Sequence, residues 1–117
     1  MSKSFLPLDK FIDSALYDEQ KGFYSLKHPF GKMGSFITSP HISILFSEMI
    51  TLWIILFWEH LKCPKKFCLI ELGAGDAEMM FKIIETSKKF PKFFNSLEFY
   101  IFEKSSYLKN IQKKKLN

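Results

Sequence analysis

The sequence predicts an α/β chain built on one parallel βαβ unit and opened by a helical and loop segment. Three observations carry this reading. Phe67-Cys68-Leu69-Ile70 is a short continuous apolar run, the pattern of a strand covered on both faces. It leads straight into a glycine-bearing turn, Glu71-Leu72-Gly73-Ala74-Gly75-Asp76-Ala77, and then a helix with Met79, Met80, Ile83 and Ile84 as its apolar stripe. Pro91 closes that region, and Leu97 to Glu103 reads as a second strand. Strand, turn, helix and strand in this order imply a parallel sheet. Two strands do not complete such a sheet. The expectation is therefore the front part of a larger domain. Residues 65–117 are expected to form the first half of the sheet domain, after a helical and loop segment over residues 1–64.

The other elements follow from spacing. Leu8, Phe11, Ile12, Ala15 and Leu16 recur at helical steps with Asp9, Lys10, Asp13 and Ser14 opposite, which predicts an amphipathic helix over 8–17. Residues 18–38 hold Gly22, Pro29, Gly31 and Gly34 with the aromatic anchors Phe23, Tyr24, Phe30 and Phe36. They read as a long turn-rich segment, and such segments in compact domains are often functional. Ser39-Pro40 reads as an N-cap with a first-turn proline. Ile42, Leu45, Phe46, Met49, Trp53, Leu56 and Leu61 continue at three- and four-residue steps. From Ile50 almost every side is apolar, so this helix is expected to be deeply buried, with Trp53 and Trp58 in the core. A connector with Pro64 follows, and Ser105 or Ser106 can cap a last helix through Leu108 and Ile111.

Composition excludes several classes. The 117 residues carry a net charge of +5, but every cation is a lysine. Without arginine the chain lacks the residue best suited to bidentate phosphate or base contacts, so nucleic acid is not an expected partner. Lys113-Lys114-Lys115 reads as a solvated helix end. Cys63 and Cys68 lack a second pair or a histidine at ligand spacing, so they read as small apolar fillers and no metal is expected. The start of the chain has neither the apolar core of a secretory signal nor the acid-poor, arginine-rich character of a transit peptide, which fits a reducing cytoplasm. The most apolar stretch, Met49 to Trp58 between Glu48 and Glu59, is ten residues. A bilayer span needs about twenty, so no membrane span is expected.

The glycine turn carries the chemistry. Gly73 permits a tight turn off the strand, and Gly75 allows close backbone approach to a ligand. Open α/β sheets hold cofactors at this edge. A dinucleotide site wants a third glycine where this chain has Glu78, and Asp76 sits at the same helix start. Two carboxylates there repel a pyrophosphate. S-adenosylmethionine has no phosphate and carries an ammonium and a sulfonium, to which Glu71 at the strand end is suited. Glu103 ends the second strand 28 residues after Gly75. An acid at that position accepts hydrogen bonds from ribose hydroxyls. His41 reads as an early helix residue facing solvent, with a general base near a methyl acceptor as the other reading. His28 and His60 read as surface or loop residues.

Beyond these features the whole chain resembles a known family. Tyr17-Asp18 with Gly22-Phe23-Tyr24, then Phe30-Gly31-Lys-Met-Gly34-Ser-Phe36-Ile-Thr38-Ser39-Pro40-His41-Ile42-Ser43, then Glu71-Leu-Gly73-Ala-Gly75, then Glu103-Lys-Ser105-Ser106-Tyr-Leu108 occur in order. This succession is similar to that of the MidA-like methyltransferases, the bacterial and mitochondrial family that includes the complex I assembly arginine methyltransferase. The Gly34 to Ser43 stretch is its specific part. The resemblance implies a Rossmann-like class I methyltransferase fold, here incomplete, with S-adenosylmethionine as cofactor. It implies transfer to an arginine of a protein substrate, such as a respiratory-complex subunit or its bacterial counterpart. The location implied is the cytoplasm of a bacterium or the mitochondrial matrix of a eukaryote. It also implies that the Thr38-Ser39-Pro40 turn folds over the cofactor end of the sheet. The expected cofactor-binding set is Gly34, Thr38, Ser39, Pro40, Glu71, Gly73, Gly75 and Glu103, with no catalytic residue assigned. Ser35 and His41 stand where the family has acids, Ala77 where it has a third glycine, and Ser106 where it has proline.

Two other readings stay open at this point. One is a non-catalytic remnant that acts through protein contacts of its sheet edge and apolar helix. The other is a nicotinamide oxidoreductase, which Asp76 and Glu78 disfavour.

Overall fold

The computed structural model describes residues 5–117; Met1 to Ser4, the start of the expected segment 1–64 and of the terminus read for targeting signals, lie outside the described residues. The elements run α1 (Leu8–Tyr17), α2 (Phe23–Leu26), α3 (Ser39–Ile42), α4 (Ile44–His60), β1 (Phe67–Leu72), α5 (Glu78–Ser87), α6 (Pro91–Phe94), β2 (Leu97–Phe102) and α7 (Ser106–Leu116). β1 and β2 pair in parallel, with Phe67 opposite Leu97 and Leu72 opposite Phe102. The connection between them carries α5 and α6. The predicted βαβ unit is present.

One face of this strand pair holds the core. Ile54, Ile55 and Trp58 of α4, Ile83 of α5 and Phe93 of α6 cluster, with Phe67, Leu69 and Leu97 packed against them. Trp58 meets Phe93 edge to face at 5.4 Å and donates its indole N–H to Pro64 O at 3.0 Å. Both strands alternate half-buried and exposed residues. The other face presents Cys68, Ile70, Leu72, Tyr100 and Phe102 to solvent. Cover on both faces of β1, as its unbroken apolar run predicts, is thus absent among the described residues. The radius of gyration is 17.7 Å, against about 13 Å for a compact domain of this length, and the long axis reaches 64 Å.

The long helix turns the opposite way from its predicted stripe. Leu45, Met49, Trp53 and Leu56 face outward, Trp53 being 64% exposed, while Ser47, Thr51, Ile54, Ile55 and Trp58 face inward. A helix apolar on nearly every side gives periodicity nothing to choose between. The inward side carries small polar residues at its N-terminal half, and Thr51 Oγ1 satisfies itself on Ser47 O at 2.7 Å. The helix also starts later than expected. Thr38, not Ser39, precedes the short α3, and Ser43 in an extended conformation breaks the run before α4, where its hydroxyl accepts Leu45 N–H at 3.2 Å.

Residues 18–38 are less irregular than their composition suggests. Asp18 Oδ1 accepts the N–H groups of Gln20 and Lys21 at 3.0 Å each, which closes a turn into α2. Phe36 N donates to Pro29 O at 2.8 Å and Gly31 N to Phe36 O at 2.9 Å, so the Pro29–Phe36 loop is closed on itself. α1 forms as predicted but buries none of its residues. Cys63 and Cys68 are both free and exposed, so neither fills the core.

The cap of α7 is Ser105. Its buried hydroxyl accepts Leu108 N–H at 3.1 Å and donates to Tyr24 O at 2.5 Å, which ties α2 to α7. Ser105→Ala is expected to cost about 2 kcal/mol in urea denaturation, because it strands the Leu108 N–H and the Tyr24 carbonyl of α2 together. Ser106→Ala, at the exposed neighbour, is expected to stay within about 0.5 kcal/mol. Equal effects of the two would contradict this assignment of the cap.

Candidate functional site

Parallel, in-register pairing brings the carboxyl ends of β1 and β2 side by side. Gly73 N extends the ladder to Phe102 O at 2.8 Å, so the glycine turn leaves β1 next to Glu103. The turn is left-handed at Gly73 (φ +65°), Gly75 (φ +58°) and Ala77 (φ +59°). Ala77 is fully buried at the base of α5. A Cβ on Gly73 would meet nothing within 4 Å, whereas one on Gly75 would stand 2.9 Å from Phe30 Cε2. The first glycine thus opens onto free space, and the second is roofed by an aromatic ring.

Two cavities meet at this turn. One of about 290 Å³ is bounded by Thr38, Ser39, Pro40, His41, Glu71 and Asp76, together with the glycine turn and Phe30. The other, about 130 Å³, is bounded by Tyr17, Tyr24, Leu108 and Glu103, again with Gly73, Gly75 and Phe30. Of the eight expected residues, Thr38, Ser39, Pro40, Glu71, Gly73, Gly75 and Glu103 come together here. Gly34 does not. It sits inside the Pro29–Phe36 loop, where a Cβ would lie 2.5 Å from the Pro29 carbonyl, so it serves loop closure.

Glu71 is the unpaired charge of the site. Burial at the strand end, helped by the nearby Asp76 charge, pushes its pKa up to about 7. Its Oε2 is buried without a hydrogen-bond partner. Such an oxygen costs free energy unless a donor reaches it.

Asp76 and Glu78 are in the opposite condition. Asp76 Oδ2 accepts from His41 Nε2 at 2.9 Å and from Lys115 Nζ at 3.1 Å. Lys115 also reaches Glu78 Oε2 at 2.8 Å, and Lys82 reaches Glu78 Oε1 at 3.1 Å. Burial alone would raise both carboxyls, but the hydrogen bonds and cations hold each below its ordinary value. Two sequence expectations change here, those for His41 and Lys115. His41 does not face solvent: it bridges Thr38 Oγ1, at 2.7 Å, and Asp76. His28 is an exposed loop residue, as its sequence context suggests, with Nδ1 at 2.9 Å from Phe30 O and Nε2 at 3.8 Å from Asp76. Lys115 is not part of a solvated helix end, because α7 returns it to the glycine turn. The repulsion expected of Asp76 and Glu78 toward a pyrophosphate is therefore largely answered within the protein, and Glu71 carries the remaining negative charge. His41, Asp76 and Glu78 also place one ligand atom each within 4.8 Å of one another. A dication there would meet the ammonium groups of Lys82 and Lys115, which already neutralise these carboxylates.

Glu103 is held from two sides. Ser105 N donates to Oε1 at 2.9 Å, and Gln112 Nε2 lies 3.4 Å from Oε2. Sequence reasoning missed Gln112, Phe30 as a roof, and the Lys115 anchor. The first and last sit on the helix after β2, and no local pattern marks which turn of it faces back.

The model of the family described as "Putative S-adenosyl-L-methionine-dependent methyltransferase" matches residues 49–117, more than half of the chain. The chain belongs to this methyltransferase family. Curated relatives agree. The "Protein arginine methyltransferase NDUFAF7 homolog, mitochondrial" of Drosophila melanogaster is 32% identical over 90 residues, 77% of this chain and 21% of the relative. The Xenopus tropicalis "Protein arginine methyltransferase NDUFAF7, mitochondrial" is 28% identical over 113 residues, 95% of this chain and 26% of the relative. The chain thus spans about a quarter of the length of these methyltransferases. A solved COG1565 superfamily structure from Burkholderia thailandensis, bound to S-adenosyl-homocysteine, superposes with a TM-score of 0.77 over 95% of this chain and 29% of its own, at 21% identity. That likeness establishes the fold: an incomplete Rossmann-like methyltransferase fold, as the sequence predicts. No helix among the described residues is long and apolar enough to cross a membrane.

Glu71 makes stability pH-dependent with a defined sign. Its folded pKa, about 7, lies above the ordinary 4.5, so the folded state holds the proton more tightly. Stability is then lost as pH rises between about 4.5 and 7 and levels off above. Glu71→Gln is expected to remove that slope in urea titrations, and an unchanged slope would assign it to other groups. Asp76 and Glu78 act at lower pH and with opposite sign, losing their contribution as pH falls through their depressed values.

Proposed function

We propose that this chain supplies the cofactor-binding part of an S-adenosylmethionine-dependent protein arginine methyltransferase. The observation that carries the reading is the buried, partnerless Oε2 of Glu71 beside an open glycine turn. A buried carboxylate without a donor suits an ammonium, and a Cβ-free Gly73 leaves room for the chain that bears it. When bound, S-adenosylmethionine supplies a methyl group activated by its sulfonium.

The roles of the residues follow. Glu71 takes the ammonium of the methionine end in the larger cavity, with Thr38, Ser39 and Pro40 as the wall that limits water. Glu103 accepts the ribose hydroxyls in the smaller one. Phe30, which covers Gly75 and borders both cavities, seats the connecting part of the cofactor where they meet. Residues 1–64 and 65–117 then act as wall and floor of one site. The names of the relatives and the family resemblance support an arginine acceptor and a link to respiratory complex I assembly. Free, exposed Cys63 and Cys68 fit a reducing compartment, bacterial cytoplasm or mitochondrial matrix. A guanidinium acceptor is almost fully protonated and needs carboxylates to orient it and take its proton. In the described residues Asp76 and Glu78 are committed to lysines, so those acids are expected from the remainder of the protein.

Isothermal titration with S-adenosyl-homocysteine tests the reading. The chain is expected to bind it, and to bind it more weakly as pH falls through about 7, because protonation of Glu71 removes the charge that meets the ammonium. Glu71→Gln is expected to lower affinity about tenfold and abolish that pH dependence. Gly75→Ala is expected to lose binding, since its methyl group and Phe30 cannot share one position. Absence of binding, or full affinity in Glu71→Gln, defeats the proposal, and tighter binding of NAD would favour the oxidoreductase instead.

A further inference from the structure

Gln112 lies about two turns into the structure's last helix and plays no part in the family motifs, yet it is buried, 5% exposed, against the site. Its Nε2 donates to Gly75 O at 2.8 Å and reaches Glu103 Oε2 at 3.4 Å. The amide orientation is dictated by chemistry. Both neighbours are acceptors, so the NH₂ group and not the oxygen must face them. Each of its two N–H bonds then has a separate target. One is the carbonyl of the second turn glycine, and the other is the acid at the end of β2.

We infer that Gln112 is the positioning residue of the ribose subsite: it fixes the Glu103 carboxylate and the Gly75 peptide relative to each other. The inference rests on the proposed role of Glu103 and extends it. Glu103 is a flexible side chain at a strand end. Ser105 N holds its Oε1 and Gln112 holds its Oε2, each from outside the small cavity. One lone pair on each oxygen is left for a pair of adjacent hydroxyls. With Gln112 removed, one of the two restraints goes, and the carboxylate regains rotamers that a bound ribose must freeze out. The same amide also holds the Gly75 carbonyl, so the floor of the turn and the ribose acceptor move as one unit.

Loss of packing alone would weaken every ligand equally, whereas loss of positioning weakens only ligands that use the hydroxyls. The test is therefore a ratio. Affinities for S-adenosyl-homocysteine and its 2′-deoxyribose counterpart are measured by titration for the chain, Gln112→Met and Gln112→Glu. The parent is expected to prefer the ribose form, and Gln112→Met to lower that preference about five- to tenfold while binding of the deoxy form changes little. Gln112→Glu, which sets a carboxylate against two acceptors, is expected to lower the preference at least as far. Circular dichroism melting of each variant separates misfolding from mispositioning. A Gln112→Met chain that is folded and keeps the parent ratio overturns the inference. A parent that binds S-adenosyl-homocysteine with no ribose preference overturns it as well, by refuting the ribose role of Glu103. A parent that binds neither form is the failure of the proposed function itself.

Discussion

The parallel register of β1 and β2 is the constraint on which the site depends. Pairing Leu72 with Phe102 and Gly73 N with Phe102 O sets the end of one strand against the end of the other. A slip of β1 by one residue against β2 would invert its faces and send Glu71 to the open side. In the observed register Glu71 points to the covered side with Phe67 and Leu69, where burial raises its proton affinity. The left-handed turn then delivers Asp76 to the start of α5 and leaves Glu103 across the turn. Each carboxylate owes its electrostatic condition to that geometry: Glu71 unpaired, Asp76 and Glu78 neutralised, Glu103 tethered.

Three elements from outside the sheet complete the site, two fixed by polar bonds to the turn and one by an aromatic ring. α3 is joined through His41 to Asp76, and the Lys82 ammonium of α5 grips Pro40 O. α7 is joined through Gln112 to Gly75 and through Lys115 to Asp76 and Glu78. The Pro29–Phe36 loop is joined by Phe30 lying on Gly75. The apolar core lies toward the other end of the strands, around Trp58 and Phe93. Apolar packing is therefore concentrated away from the turn, while the polar bonds around the turn serve both the site's geometry and the docking of its helices.

Local rules sufficed for much of this and failed at identifiable places. The βαβ order, the turn, α1, the strands and Glu71, Gly73, Gly75 and Glu103 were legible, because each is encoded within a few residues by period, glycine or charge. The buried side of α4 was not, because a helix apolar all round encodes no direction; its inward side is decided by which neighbours arrive. The solvent reading of His41 and Lys115 failed for a related reason. Their partner is Asp76, 35 and 39 residues away, and a charge looks solvated until the fold supplies its counter-charge. The cap of α7 was left between two serines, and only contact with the distant Tyr24 carbonyl separates them.

The cluster of Asp76, Glu78 and Lys115 has a consequence for the two helices it joins. The acids stand at the amino end of α5, where unsatisfied N–H groups give the helix its positive pole. The lysine stands in the last turn of α7, at the negative pole made by free carbonyls. Helix macrodipoles thus favour the same three charges that attract one another directly. The opposed poles are cross-linked by their own counter-ions, so neutralising any one of the three would loosen two helix termini at once.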